Sequence, residues 1–443
     1  MAQLADITPV RQIHRGRLLR FTADPGSSRD SHEYFEDGVL LVDNGLVAEA
    51  GPAAELLPRL PTGLPETRHG GRLLMPGFID THIHFPQLDV IGSGGMQLLD
   101  WLNDYTFPEE ARFADAAHAA TVAELFLDEL LRHGTTTALV FCTVHTASVD
   151  AFFTAAQRRG LRMIAGKALM DRNCPENLRD PPGGGIDESR SLIERWHGRD
   201  RLGYAITPRF APACSGAQLA AAGRLAAEFP DCHIHSHLAE NHAEVAWART
   251  LFPEAGSYLD VYDRHGLVRG RSVYAHCLHL SDADRQRMAS AGAAAAFCPT
   301  SNLYLGSGLF DLAASDAAGL RYGIATDVGG GTSFSLLRTL DEACKVAKLQ
   351  GQYLSPLRAF YLATLGAARC LDLAPRIGSL ALGSEADFIV LDAEATPLLA
   401  RRTRACRSLE EQLRVLMTLG DERSIHATYS LGRCIGGTVM GSA

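Results

Sequence analysis

Two histidines one residue apart, His82 and His84, stand near the end of the stretch "PGFIDTHIHFPQ" at 76–87. On an extended chain, positions i and i+2 share a face, so both imidazoles turn toward one point in the manner of a metal clip. Two donors do not hold a catalytic ion, because such a site takes three or more protein ligands and keeps a position open for water. The missing ligands must come from elsewhere. The stretch "CHIHSHLAEN" puts His233, His235 and His237 on one face with Glu240 just beyond, "YAHCLHL" offers His276, and "ATDVGGG" offers Asp327. Each has an ordinary explanation taken singly, since a buried histidine is often hydrogen-bonded core and an Asp before Gly-Gly often forms a turn. Their joint value depends on whether the fold brings them to one place.

The elements that carry these residues form a regular series. Eight short apolar runs read as strands: "RLLMPGFIDTHIH", "TTTALVFC", "RMIAGKALM", "LGYAITPRF", "CHIHSHLAE", "SVYAHCLHL", "AAAAFCPTSN" and "YGIATDVGGG". Between them lie segments with helical apolar spacing and a Gly or Pro stop, such as "ADAAHAATVAELFLDELLRHG" and "SGAQLAAAGRLAAEFP". Strand and helix alternating eight times predict an α/β fold whose parallel sheet closes into a (β/α)8 TIM barrel. An open doubly wound sheet is the alternative, and its Gly-rich first turn is missing. The flanks read as strands with tight turns, "GVLLVDNGLVAEAG" near one end and "EADFIVLDA" and "HATYSLGRCIGGTVMG" near the other. They predict a small β-sandwich domain built from both chain ends, residues 1–75 and 376–443, with the barrel inserted at 76–375.

In such a barrel the active site lies at the C-terminal ends of the strands. His82 and His84 end the first strand, His237 the fifth, His276 the sixth and Asp327 the eighth. His237 is nearest its strand's end and is therefore the histidine of that strand assigned to the metal, with His233 and His235 packed deeper. His242 and His279 read as surface or supporting residues. Four strands converging on one rim in this way predict a metal centre.

Composition narrows the function further. The chain has 443 residues, 46% hydrophobic and 21% charged, with a formal net charge of -9, which argues against a nucleic-acid partner. Its ten cysteines are scattered singly with no C-x-x-C pair, the usage of reduced, cytoplasmic thiols. No run reaches the ~18 apolar residues of a membrane span, so no membrane partner is expected.

The chain resembles the amidohydrolase superfamily and, within it, the guanine deaminases of the bacterial type. The matching residues are "PGFIDTHIHFPQ", "LLDWLNDYTFPEEARF", "GTTTALVF", "MIAGKALMDRN", "ITPRFAP", "HSHLAEN", "AHCLHL", "FCPTSNLYLGSGLF" and "TDVGGGTSF", nearly the whole barrel. The H-x-H and T-D elements fix only the superfamily, whereas "LLDWL" with "TFPEE" and "TPRF" narrow it to guanine. By position the resemblance implies that His82, His84, His237 and Asp327 hold one zinc ion per chain, with His276 beside them. Iron or another divalent metal suits the same ligands. It makes Glu240 the proton carrier, with Asp327 and His276 acting on the attacking water, and Gln87, Arg209 and Phe210 the readers of the base, with His237 and Trp101 also against it. The implied reaction is zinc-dependent hydrolysis of guanine at ring carbon 2 to xanthine and ammonia, by a homodimer whose contact uses the stretch "DYTFPEEAR".

Rival readings make their own demands. A two-metal hydrolase needs a bridging carbamylated lysine, and among the three lysines only Lys167 lies in a barrel strand, near its middle. A chlorohydrolase or a pterin, triazine or pyrimidine deaminase would share the metal residues and differ at Gln87, Arg209 and the loop near Trp101. A barrel retained as a binding scaffold would show a damaged ligand set, and none is visible.

Overall fold

The computed structural model describes residues 11–94 and 97–439. Strands β1 (Gln12–Phe21), β2 (His32–Asp43), β3 (Leu46–Pro52) and β4 (Glu66–Pro76) belong to the terminal sheet. The barrel strands are β5 (Phe78–His84), β6 (Thr135–Phe141), β7 (Arg162–Gly166), β9 (Gly203–Pro208), β10 (His233–Leu238), β11 (Ser272–His276), β12 (Ala294–Phe297) and β13 (Arg321–Ile324), with the two-residue β8 (Ala168–Leu169) pairing beside β9. Strands β14 (Phe388–Leu391), β15 (Ile425–Ser430) and β16 (Arg433–Gly436) return to the terminal sheet.

The eight barrel strands pair in parallel in the order β13-β12-β11-β10-β9-β7-β6-β5. Contacts between the two outer strands close the ring: Thr81 Oγ1 donates to the Ile324 carbonyl at 3.0 Å, and Asp327 N–H donates to the His82 carbonyl at 3.0 Å. Small and branched side chains fill the interior, among them Ile79, Leu139, Ile164, Ala205, Val273 and Ala296. The helices pack on the outside, where Phe85, Phe113, Phe126, Phe152 and Phe153 are buried. Several of these helices start where the apolar periodicity predicts, at Ala116–Arg132 with Asp115 as cap and at Gly216–Glu228 with Ser215 as cap.

The run "RLLMPGFIDTHIH" is two strands rather than one. It breaks at Gly77, where a Cβ would lie 2.2 Å from Thr136 Oγ1, so the chain passes from sheet to barrel through a gap that only glycine fits. The second half is itself irregular. The pairing of β5 with β6 shifts between Asp80 and Ile83, so Ile79 and His82, three residues apart, both point inward. A bulge of this kind re-aims side chains beside active sites.

The terminal β domain is one continuous seven-stranded sheet in the order β16-β15-β14-β4-β1-β2-β3. Its β3 edge turns back on the sheet: Val47 N–H donates to the Ser384 carbonyl and Ala386 N–H to the Gly45 carbonyl, both at 2.8 Å. The folded sheet encloses a core of its own, including Leu18, Leu40, Val42, Leu74, Phe388 and Val390. The helices Pro397–Thr403 and Leu409–Leu419, between β14 and β15, add Leu399, Leu413 and Leu416 to the barrel's outer core. No helix among the described residues is long and apolar enough to cross a membrane.

Candidate active site

The C-terminal rim of the barrel gathers the histidines and carboxylates named from the strand ends. His84 Nε2 lies 3.2 Å from His82 Nε2 and 3.1 Å from His237 Nε2. Asp327 Oδ1 is 3.0 Å from His82 Nε2 and 3.4 Å from His84 Nε2. His276 Nε2 sits 3.2 Å from Glu240 Oε2 and 3.9 Å from Asp327 Oδ2, with no hydrogen-bond partner of its own. The strand ends are bent to achieve this, since His276 and Asp327 hold φ of 71° and 51°, in the left-handed region that side chains rarely adopt. Gly331, four residues on, is required by close approach rather than by φ: a Cβ there would stand 1.8 Å from the Thr326 carbonyl oxygen.

The hydrogen bonds behind the rings orient them. His237 Nδ1 donates to the Arg209 carbonyl at 2.6 Å, which leaves Nε2 free to face the cluster. His82 Nδ1 meets His235 Nε2 at 2.7 Å, so a His82 that offers Nε2 to a cation carries its proton on Nδ1 and donates it to His235. His235 is thus deeper than the cluster, as its position in the strand predicts, and directly braces one of its members. His233 lies at the other end of the strand on the Leu371 carbonyl, 2.9 Å away. The Asn302 side-chain amide holds His276 Nδ1 at 2.8 Å. Asp80 ties the first strand to the last through the His82 and Thr326 backbone N–H groups and the Thr326 hydroxyl, and burial pushes its carboxyl up to about 7.

This donor set fits a metal ion. Burial drives His82 down to about 3 and holds His84, His237 and His276 well below the usual imidazole value, so all four rings are neutral donors. Ligand nitrogens 2.0–2.1 Å from a tetrahedral zinc stand roughly 3.3 Å apart, close to the spacing of these rings. His82, His84 and Asp327 lie together, as do His82, His237 and His276, each set with ligand atoms within 4.8 Å of one another. Glu240 stands beside the cluster with its carboxyl well above the ordinary value, mainly through burial and further through Asp327 and Glu244, while the Ser307 hydroxyl opposes the shift. Its backbone is fixed by the helix that follows, where Glu244 reaches back to the N–H groups of Glu240 and Asn241 at 2.8 and 3.2 Å.

Beside these groups lies a cleft of about 420 Å³, including its open mouth, lined among others by Gln87, Trp101, Arg209, Phe210, Glu240 and Leu305. Arg209 Nη1 is 2.6 Å from Glu110 Oε2, and Gln87 Nε2 donates to Glu110 Oε1 at 3.0 Å. Trp101 spends its indole N–H on the Ser93 carbonyl at 2.9 Å and offers the cleft only its ring. Every site residue expected from the sequence lies at this rim or in this cleft. Glu110 was not among them. Its signal was present in "TFPEE", a stretch expected to serve a subunit contact, but Phe107, Glu109 and Glu110 are buried behind the cleft while Asn103, Asp104 and Tyr105 face outward.

Lys167 is elsewhere engaged. It is fully buried between β7 and β8, its Nζ 2.5 Å from Asp180 and 3.4 Å from Glu188, and so is not available as a bridging ligand. His279 stacks on the exposed His242 with ring centroids 3.8 Å apart and contacts the Ser307 carbonyl at 2.9 Å.

An eight-stranded barrel with a histidine and aspartate cluster at its C-terminal rim, beside a buried glutamate and a polar-edged cleft, defines a barrel hydrolase. The chain belongs to the amidohydrolase family, whose pattern matches residues 73–435. It is 48% identical to guanine deaminase of Escherichia coli over 418 residues, 94% of this chain and 95% of that one. It is 42% identical to a probable guanine deaminase of Deinococcus radiodurans, over 97% and 98% of the two chains. The structure of the E. coli guanine deaminase superposes with a TM-score of 0.94 over 96% of this chain and 99% of that one, at 47% identity. Guanine deaminase from C. acetobutylicum, with guanine bound in its active site, superposes at 0.87 over 96% and 100%, at 28% identity.

Proposed function

We propose that this chain hydrolyses guanine to xanthine and ammonia, with one divalent metal ion, zinc by preference, held by His82, His84, His237 and Asp327. The observation that carries the reading is the adjacency of two units, the neutral imidazole cluster and the Glu110–Arg209–Gln87 network at the edge of the cleft. The guanine deaminase relatives supply the substrate class. Bound at the cluster, the metal would acidify a water so that hydroxide is available near neutral pH.

The chain's own groups perform the remaining work. Guanine presents a C6 oxygen and a row of ring nitrogens, which the Arg209 guanidinium and the Gln87 amide can meet in the ring plane while Phe210 covers a face. Glu240, held protonated by burial, donates to ring nitrogen 3 and draws electron density from ring carbon 2. After the oxygen of water adds there, Glu240 carries a second proton, taken from that water, to the C2 amino group, which leaves as ammonia. His276 turns its unpartnered Nε2 toward the space between Glu240 and Asp327, where it can orient the water, and the Asp327 carboxylate can take up the water's other proton, whose return to Glu240 restores the starting state. The same reading includes a homodimer in the cytoplasm, for which sedimentation of the purified chain gives the test.

Ammonia release against guanine, adenine, cytosine, a pterin and an aminotriazine tests the substrate. Guanine is expected to exceed the others in kcat/KM by roughly a hundredfold or more, the discrimination a hydrogen-bonding site supports. Equal or faster release from another heterocycle overturns the assignment and leaves the barrel and its cluster in place.

A further inference from the structure

We propose that Glu110 is the positioning residue that makes the cleft select a purine carrying oxygen at C6, and that it acts through Arg209 and Gln87. The inference rests on guanine as the substrate and names what sets that choice. Glu110 is 1% exposed and does not line the cleft, so it does not reach the base itself. Its two oxygens are divided between the two readers, Oε1 to Gln87 and Oε2 to Arg209. Phe107, one turn earlier on the helix Phe107–Ala111, lies under the Arg209 guanidinium with 5.3 Å from its ring centroid to the guanidinium carbon. One helical turn therefore holds the guanidinium by an edge and a face. Glu109, on the same short helix, accepts from Arg112 three residues on at 2.7 Å.

This arrangement settles which way Gln87 points. Its Nε2 donates to Glu110 and its Oε1 accepts from Gly329 N–H at 3.2 Å, so the amide cannot turn over without breaking both bonds. Arg209 offers only donors, and with one of its terminal nitrogens bound to Glu110 its remaining N–H groups are held in a single plane. An acceptor oxygen at C6 satisfies such a donor array. An amino group there would bring donors against donors in a desolvated site, which is the costly mismatch. A carboxamide at position 110 has one acceptor for two donors, and its NH2 must face one of them. Either Gln87 or Arg209 then loses its place.

The test uses the full-length, metal-analysed protein and compares guanine with 2,6-diaminopurine, which differs at C6 in carrying an amino group. Glu110→Gln is expected to raise KM for guanine roughly tenfold while kcat falls less. The preference for guanine over 2,6-diaminopurine, read as a ratio of dissociation constants, is expected to fall by about tenfold or more at unchanged metal content. Because Glu110 works in part through Arg209, adding Glu110→Gln to Arg209→Met is expected to change that ratio by less than it does in the wild-type background, the remainder passing through Gln87. An unchanged ratio in Glu110→Gln, or full additivity with Arg209→Met, overturns the proposal. Should Glu110→Gln not fold, Glu110→Asp, which keeps the charge with a shorter reach, must shift the ratio in the same direction, and a wild-type ratio overturns it. A wild-type protein inert toward guanine defeats the functional reading instead, and the binding ratio, which needs no turnover, still decides the role of Glu110.

Discussion

His82, on the first barrel strand, and Asp327, after the last, meet across the seam of the barrel with Nε2 and Oδ1 3.0 Å apart, while Asp327 N–H donates to the His82 carbonyl at 3.0 Å. The same two residues therefore both bridge the barrel seam and stand in the cluster. The bulge in β5 and the left-handed backbone at Asp327 are the local distortions that allow it.

The cluster predicts a metal-dependent fold stability. Wild-type protein is expected to purify with about one divalent metal per chain, and His84→Ala with far less, by elemental analysis. Ligand binding to the native state alone adds about 2.7 kcal/mol at a hundred times Kd, so chelation is expected to lower Tm in wild type and leave His84→Ala unmoved. Equal metal content in both proteins would remove His84 from the cluster.

Glu240 separates holding the metal from moving protons. Glu240→Gln preserves shape and the neighbouring Ser307 contact, so metal content should match wild type while kcat falls by about 10²–10⁴, the usual worth of a positioned acid–base group. A kcat within roughly tenfold of wild type would take Glu240 out of the mechanism.

At the opposite end of the barrel, Arg201 is buried between Glu385 and Asp387 and also donates to the Gly160 carbonyl at 2.9 Å and the Ser430 hydroxyl at 2.8 Å. Arg162 supports Glu385, but Asp387 has Arg201 as its charged partner. Arg201→Ala thus leaves a buried carboxylate uncompensated and is expected to cost about 3–5 kcal/mol in urea unfolding. Activity per folded molecule should be unchanged, since the residue lies at the far end of the strands. A loss below roughly 1 kcal/mol would show that Asp387 finds other compensation.

The sequence and the structure agree where spacing alone carries the information. His82, His84, His237, His276 and Asp327 were legible because each lies within a few residues of a strand's C-terminal end, and a parallel barrel puts strand ends together whatever the loops do. Glu110 was not legible as a partner of Arg209: the two lie 99 residues apart, and nothing in a pair of glutamates says which one turns inward. The Asn302 and Ser307 contacts to His276 and Glu240 were hidden for the same reason, being made by the short helix Pro299–Tyr304 and the loop after it, whose placement depends on the finished barrel. The break at Gly77 was masked by an apolar run that continues through it, because the next strand serves a different sheet.

The terminal sheet carries an acid-sensitive pair. His14 Nδ1 lies 3.2 Å from His69 Nε2, with the His14 ring 4.8 Å from Phe388 and 4.9 Å from Tyr429. Burial, with the other histidine adding, lowers His14 to about 3, and burial lowers His69 to about 4. A depressed imidazole means that the unfolded chain binds more protons, so stability is complete above pH 6.5 and is lost as pH falls through the window down to about 3. Each such group contributes a slope of about 1.4 kcal/mol per pH unit inside the window. His14→Phe is expected to flatten the decline between about pH 6 and 4.5 by close to one proton's worth, measured by urea unfolding. Identical slopes in both proteins would contradict it.

The most direct test of the central claim is to incubate the metal-analysed protein with guanine and quantify xanthine and ammonia together. Equal amounts of both, formed in proportion to bound metal and abolished by chelation, are predicted. Metal-loaded protein that leaves guanine intact would contradict the account at the substrate, and xanthine formed at full rate by metal-free protein would contradict it at the cluster of His82, His84, His237 and Asp327.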